Sequence, residues 1–145
     1  MPFEINLKKR LVKSPKIYIR DTGILHALLD IESRHELFGH PVYGLSWESF
    51  VLETIINAYP AWKAYFYRTS SGSELDLILQ KGQKTIAIEC KSSSSPTLSR
   101  GNVEAIQSLP LNACFVVAPV ESEYPIRDNV WVMPLSEVLV RIGHV

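Results

Sequence analysis

Residues 74–91, Glu-Leu-Asp-Leu-Ile-Leu-Gln-Lys-Gly-Gln-Lys-Thr-Ile-Ala-Ile-Glu-Cys-Lys, decide the fold that we expect for this chain. Two apolar runs interrupted by polar residues predict two β-strands. Gly82 lies between them and can adopt the positive φ angle of a two-residue hairpin turn. A turn at Gly82-Gln83 pairs Lys81 with Lys84 and, further along the hairpin, places Asp76 opposite Glu89.

This register divides the side chains of the hairpin between two faces. The polar face carries Glu74, Asp76, Glu89 and Lys91, and the apolar face carries Leu75, Leu77, Leu79, Ile86, Ile88 and Cys90. Opposed like charges destabilise a sheet, so Asp76 and Glu89 need a cation between them. Lys91 could supply it, and so could a hard divalent ion such as Mg²⁺, which prefers oxygen ligands. The alternative is an ordinary solvated polar face.

A helix is predicted over residues 46–59, before the hairpin. Its polar residues form a narrow stripe opposite a broad apolar face, and we expect Glu53 within that stripe to be solvated. The stripe consists of Ser46, Ser49, Glu53 and Asn57. Glu48 lies within the apolar face, where a carboxylate is costly unless it is paired or bound to a metal. Glu48 is therefore expected to point inward, either toward a metal or toward a lysine or arginine.

The remaining patterns predict an α/β domain with the core order αβββαβ. Strands are expected over residues 62–69, 111–120 and 130–133, and helices over 99–109 and 136–142. Residues 30–44 and 124–128 are expected to be loops. The core domain spans residues 31–145, and residues 1–30 form a basic segment with a short helix, capped by Asp21-Thr22, that packs on it.

Composition limits the functional classes. The 145 residues, 46% of them hydrophobic, suit one folded domain rather than a disordered chain. No apolar run reaches the roughly 18–20 residues of a membrane helix. The N-terminus does not resemble a secretory signal. The lack of a long apolar run predicts no membrane association. Cys90 and Cys114 lack the spacing of a zinc site or a disulfide framework, so we expect a reducing, cytoplasmic setting.

The charge distribution is uneven although the formal net charge is zero. Six basic residues against Glu4 give +5 over residues 1–20, so the remaining 125 residues carry −5. A domain that coats nucleic acid unaided is normally more basic. Phosphate binding by this chain therefore needs a local patch, a metal ion or a partner domain.

The order Glu48, Asp76, Glu89 and Lys91 on helix, strand and strand resembles the PD-(D/E)XK, or restriction-endonuclease-like, phosphodiesterase superfamily. The resemblance implies a mixed central sheet flanked by helices. It also implies that Asp76 and Glu89 bind Mg²⁺ or Mn²⁺, that Glu48 adds to the metal site, and that Lys91 positions or activates water. No clear Pro-Asp dipeptide precedes this site, since Leu75 stands before Asp76.

Residues 13–25, Lys-Ser-Pro-Lys-Ile-Tyr-Ile-Arg-Asp-Thr-Gly-Ile-Leu, resemble the opening of the DUF4143 domain. Residues 47–51, 67–69, 73–76 and 89–92 resemble later signals of that family in the same order. DUF4143 forms the C-terminal part of many prokaryotic AAA-type ATPases. This chain has no G-x-x-x-x-G-K-[ST] motif, so the resemblance implies a P-loop ATPase module as partner, in cis or in trans.

Together these resemblances imply a Mg-dependent, nuclease-like phosphodiesterase domain that acts on DNA. Arg68, Lys63 and Ser92 are candidate contacts to phosphates. The basic residues 8–20 could follow a nucleic-acid strand or dock to an acidic ATPase surface. The alternative function is a catalytically inactive nucleic-acid- or protein-binding regulatory domain of such an ATPase, in which the same carboxylates support the fold.

Overall fold

The computed structural model of the chain describes Ser14, Ile17 and residues 19–145. The basic segment predicted before residue 20 therefore lies largely outside the described residues. The elements are α1 (Thr22–Leu28), α2 (Arg34–Gly39), α3 (Tyr43–Ala58), β1 (Lys63–Arg68), β2 (Glu74–Lys81), β3 (Lys84–Cys90), α4 (Arg100–Ser108), β4 (Ala113–Val117), β5 (Tyr124–Arg127), β6 (Val130–Met133) and α5 (Leu135–His144).

Within the described residues the strands form one six-stranded mixed sheet in the order β1-β2-β3-β4-β6-β5. Strands β1, β2 and β3 are antiparallel neighbours, whereas β4 runs parallel to both β3 and β6. Strand β5 is antiparallel to β6 and forms an edge. Helices flank this sheet, which confirms the predicted α/β class with a mixed central sheet.

The hairpin β2–β3 has the register that its turn predicts. Lys81 pairs with Lys84, and pairing continues to Leu77 and Ile88. Gly82 adopts a φ angle of 59°, a conformation that suits glycine because it has no Cβ. One face of the hairpin packs with helices α3 and α5 in a buried cluster that includes Leu77, Leu79, Ile86, Ile88, Val51, Ile55, Val138 and Ile142.

A β-bulge changes the face on which one predicted residue lies. Tyr65 pairs with Ile78 and Tyr67 pairs with Leu75, so a single residue of β1 opposes both Asp76 and Leu77. The extra residue reverses the alternation of β2 at this point. Leu75 consequently packs in the other buried cluster, which includes Ala105 of α4. The prediction that Leu75 shares a face with Leu77 is therefore wrong.

Two predicted loops contain regular structure. Residues 34–39 form α2, where Ser33 accepts a hydrogen bond from the Glu36 backbone N–H (3.2 Å) as an N-terminal cap. Strand β5 occupies residues 124–127, where an edge position tolerates its proline. Helix α3 also begins three residues earlier than predicted, at Tyr43.

The polar stripe of α3 is solvated only in part. Ser46 and Ser49 are buried. Ser46 Oγ lies 2.6 Å from His26 Nε2 on α1, and Glu53 pairs with Arg20 just before α1 (3.1 Å). Ser46 therefore bonds to α1 and Glu53 to the residue that precedes its cap, whereas Asn57 at the far end of the stripe is exposed.

Neither cysteine is in a disulfide within the described part of the chain. Cys114 is buried in β4, and burial raises the pKa of its thiol to about 12, so the side chain behaves as an apolar core residue. Among the described helices, none is both long and apolar enough to span a bilayer.

Candidate functional site

The site lies where the paired backbones of β2 and β3 separate. Asp76 occupies the bulge of β2, Glu89 is the penultimate residue of β3, and Lys91 follows that strand. The backbone pairing of the two strands ends at Leu77 and Ile88. Beyond that point Asp76 Oδ2 accepts a hydrogen bond from the Cys90 backbone N–H (2.9 Å). The Asp76 carboxylate is thus held against the backbone of the residue between Glu89 and Lys91.

Glu89 is an almost completely buried acid, with 4% of the residue exposed. Its Oε1 lies 2.9 Å from the Lys91 ammonium. Its Oε2 is buried and has no hydrogen-bond partner among the described residues. Burial first, and the negative charge of Asp76 second, raise the pKa of Glu89 to about 7, and these effects outweigh the opposing hydrogen bond from Lys91.

Lys91 lies between Glu89 and a residue that the sequence did not identify. Its Nζ is 3.3 Å from Asn102 Oδ1 on α4. The Lys91 backbone N–H donates to the Val117 carbonyl (2.9 Å), which continues the pairing of β3 with β4. The Ser99-x-x-Asn102 spacing predicts a helix cap. No local signal indicates that the same amide reaches Lys91.

Helix α3 begins at this end of the sheet. The Trp47 indole N–H donates to the Val117 carbonyl (3.5 Å), the same oxygen that Lys91 reaches. A Cβ on Gly44 would lie 3.7 Å from Ser92 Oγ. Glu48, the residue after Trp47, is half-buried. The first turns of α3 therefore lie beside the segment that carries Lys91 and Ser92.

The described residues do not assemble a site of three metal-binding side chains. Across Ser14, Ile17 and 19–145, no group of three or more His, Cys, Asp and Glu side chains is arranged to hold a metal ion. Asp76 lies near enough to Glu89 for its charge to raise the pKa of that acid, but Glu48 does not join them in such a group. The predicted metal-binding roles of all three carboxylates remain predictions.

The candidate phosphate contacts differ in their positions. Arg68 ends β1 opposite Glu74, and its Nε lies 3.7 Å from a Glu74 carboxylate oxygen. Arg68 is thus at the same end of the sheet as Asp76, and Ser92 directly follows Lys91. Lys63 starts β1 and pairs with Gln80, toward the turn of the β2–β3 hairpin and away from the site.

Two domain families of unknown function match parts of this chain. Residues 43–138 match the model of DUF4143 and residues 1–35 match that of DUF8612, each described as a domain of unknown function. Uncharacterized proteins of Mycobacterium tuberculosis and Mycobacterium bovis are each 39% identical to this chain over 138 residues, which make up 95% of it. The chain spans 31% of the length of these relatives.

One solved structure is also similar. It is described as a refined half-complex from the tetradecameric assembly of Thermococcus gammatolerans McrB AAA+ hexamers with bound McrC. The aligned region has a TM-score of 0.43 and 14% identity, and it covers 63% of this chain and 27% of that chain.

Proposed function

The chain belongs to the DUF4143 family, and we propose that it is a magnesium-dependent, nuclease-like phosphodiesterase domain that acts on DNA in the cytoplasm. One observation carries this proposal. Where β2 and β3 separate, Glu89 pairs with the Lys91 ammonium, and Asp76 lies near enough for its charge to raise the pKa of Glu89. Two carboxylates can bind a divalent ion, and a neighbouring ammonium can stabilise negative charge on a phosphate, so this set suits metal-assisted phosphodiester hydrolysis.

The fit of a divalent cation rests on Glu89. Its Oε2 is buried and lacks a hydrogen-bond partner within the described residues, so bringing a cation to this oxygen would satisfy it. Magnesium commonly binds proteins through one or two carboxylates and completes its shell with water and substrate phosphate. Asp76 and Glu89 would supply those two carboxylates. Glu48 is the third candidate ligand of the ion. The variant Glu48→Gln tests this role in the cleavage and thermal-unfolding assays.

The chemistry follows from the charges that surround this position. A bound divalent ion polarises a phosphate oxygen and lowers the pKa of bound water. Lys91 offers an ammonium that can stabilise negative charge developing on the phosphate. Asp76 is held in place by the Cys90 backbone N–H. Arg68 and Ser92 lie at the same end of the sheet and would contact flanking phosphates. Lys63, toward the hairpin turn, is the weakest member of the proposed contact set.

A cleavage assay tests the proposed activity. Purified protein is incubated with single- and double-stranded DNA in Mg²⁺ or Mn²⁺, beside the variants Asp76→Asn, Glu89→Gln and Lys91→Ala. Each variant is expected to lower the cleavage rate at least about 100-fold. Glu137→Gln, an exposed carboxylate on α5, is the matched control and is expected to retain the wild-type rate. The proposal would be contradicted if the wild type did not cleave DNA, or if the three site variants cleaved it at the wild-type rate.

Metal binding is measured separately by thermal unfolding. Mg²⁺ that binds the folded chain raises its melting temperature in a concentration-dependent way. Asp76→Asn is expected to abolish this shift, and Glu137→Gln is expected to keep it. A shift that persists unchanged in Asp76→Asn would place the cation elsewhere.

The second candidate is a catalytically inactive regulatory domain that binds a protein or nucleic acid. Large apolar side chains exposed on the first three helices favour it, because exposed apolar patches often mark interaction sites. They are Ile24, Leu28, Phe38, Leu45 and Phe50. The partner implied by the family resemblance is an ATPase module. Wild-type protein that fails to cleave DNA, together with site variants that fold normally, would favour this second function.

A further inference from the structure

We infer that Asn102 is a positioning residue that holds the Lys91 ammonium in a defined place. The effect of Asn102 on cleavage rests on the proposed phosphodiesterase function. Its effect on the Lys91 ammonium rests on contacts alone. The two effects are therefore tested by different measurements.

The Asn102 amide is fixed by hydrogen bonds on both of its polar atoms. Its Oδ1 accepts from the Ser99 backbone N–H (3.0 Å) and lies 3.3 Å from Lys91 Nζ. Its Nδ2 donates to the Glu74 carbonyl (3.1 Å) on β2. The residue is 1% exposed. Rotation of this side chain would break several bonds in a buried setting, so its oxygen is a rigid acceptor.

Lys91 depends on such an acceptor because its own side chain is flexible. A lysine ammonium sits on a four-carbon stem with three rotatable donors. One donor position is directed to Glu89 Oε1 at 2.9 Å and a second to Asn102 Oδ1. The side chain is 26% exposed, so the ammonium remains accessible from the solvent side. Two fixed acceptors thus define its position while leaving donor capacity for a ligand.

The position of Asn102 is set in turn by the packing of the first turn of α4. A Cβ on Gly101 would overlap the Gly72 carbonyl oxygen and lie 3.2 Å from the carbonyl carbon. Ser73 Oγ donates to Glu104 Oε2 (3.1 Å), one turn further along α4. Helix α4 therefore packs directly on the β1–β2 turn. This packing places the Asn102 amide within hydrogen-bonding distance of Lys91 Nζ.

Nuclear magnetic resonance of the Lys91 ¹⁵N-ammonium group tests the inference without metal or DNA. A hydrogen-bonded ammonium exchanges its protons slowly and gives a resolved signal, which Lys91→Ala identifies. Asn102→Ala is expected to remove or strongly shift this signal. Ser99→Ala removes the hydroxyl that accepts from the Asn102 backbone N–H, but it keeps the Ser99 backbone N–H that donates to Asn102 Oδ1. This variant should therefore retain the signal. Gln107→Ala, exposed on the same helix, should also retain it.

These outcomes separate positioning from helix capping. An unchanged Lys91 signal in Asn102→Ala would overturn the inference, and so would equal loss of the signal in Ser99→Ala. Asn102→Asp replaces the donating Nδ2 with an oxygen that faces the Glu74 carbonyl and adds a negative charge beside Lys91, so it should shift the ammonium signal. This second variant keeps the inference testable if Asn102→Ala fails to fold, because an unchanged signal in folded Asn102→Asp would also contradict it.

Cleavage kinetics provide the functional measurement. At saturating DNA and Mg²⁺, Asn102→Ala is expected to lower kcat about 10- to 100-fold, because misplacement of a catalytic group by about 1 Å has effects of this size. KM is expected to stay near the wild-type value, and Ser99→Ala is expected to remain close to wild type in both constants. Equal kcat values for Asn102→Ala and wild type would refute the kinetic effect. A wild type without cleavage would refute the proposed function, while the ammonium signal would still decide the role of Asn102.

Discussion

The buried acid Glu89 should make the free energy of unfolding fall as pH rises. Its pKa is raised from 4.5 to about 7. Between these values the folded state holds a proton that the unfolded state has released, so unfolding becomes easier with increasing pH. Each pKa unit corresponds to 1.36 kcal/mol, and the shift therefore amounts to about 3 kcal/mol. This contribution is fully present below pH 4.5 and is lost as pH rises through about 7.

Urea unfolding of wild type and Glu89→Gln measures this effect. Both proteins are unfolded in a metal chelator at a series of pH values between roughly pH 4 and pH 8. Glutamine has a similar shape and does not titrate, so the difference between the two proteins cancels the other ionisable groups. The stability of wild type relative to Glu89→Gln is expected to decline by about 3 kcal/mol over this range.

Asp76→Asn tests the cause of the raised pKa. Removing the negative charge of Asp76 is expected to lower the pKa of Glu89 toward 4.5, while burial keeps it above that value. Carboxyl ¹³C chemical shifts of Glu89 report its midpoint directly. A Glu89 that titrates near 4.5 in the wild type, or a stability difference that is flat with pH, would refute the reasoning. An unchanged midpoint in Asp76→Asn would refute the assigned contribution of Asp76.

Two further predictions concern packing. Gly101→Ala is expected to lower the unfolding free energy by about 1–3 kcal/mol, because the new Cβ would overlap the Gly72 carbonyl. Gly39→Ala has open space around the new Cβ, so it is expected to be neutral or stabilising by up to about 1 kcal/mol, and equal urea midpoints would contradict this contrast. Ile88→Ala should cost about 2–5 kcal/mol in the same assay, since Ile88 is fully buried. Val140→Ala, exposed on α5, should cost less than about 0.5 kcal/mol. A loss in Ile88→Ala as small as that in Val140→Ala would contradict the core role of Ile88.

The bulge in β2 shows where local patterns stop being informative. The alternation of residues 74–80 places Leu75 and Leu77 on one face. The pairing of Tyr65 and Tyr67 with β2 inserts an extra residue and moves Leu75 to the α4 side. A bulge depends on the partner strand, which the sequence of β2 does not specify. Asp76 lies within this bulge, so its exact direction also depends on β1.

Helix α3 shows the same division between local and distant determinants. Its existence and its apolar face follow from residues within a few turns of one another. Whether Ser46 meets water or another helix depends on α1, which supplies His26. The burial of Ser46 therefore does not follow from the helix pattern, although the helix itself is confirmed.

By itself, the sequence determined the hairpin register, the Asp21 cap of α1 and the α/β class, because turn chemistry and side-chain periodicity act over a few neighbouring residues. Only the tertiary structure decided that Glu89 is buried against Lys91 and that Asn102 reaches the same ammonium. Only the tertiary structure also decided that Glu48 does not join Asp76 and Glu89 in a three-ligand group within the described residues. Burial and the convergence of charged groups arise when distant elements pack together. These contacts depend on distances between elements that no local pattern specifies.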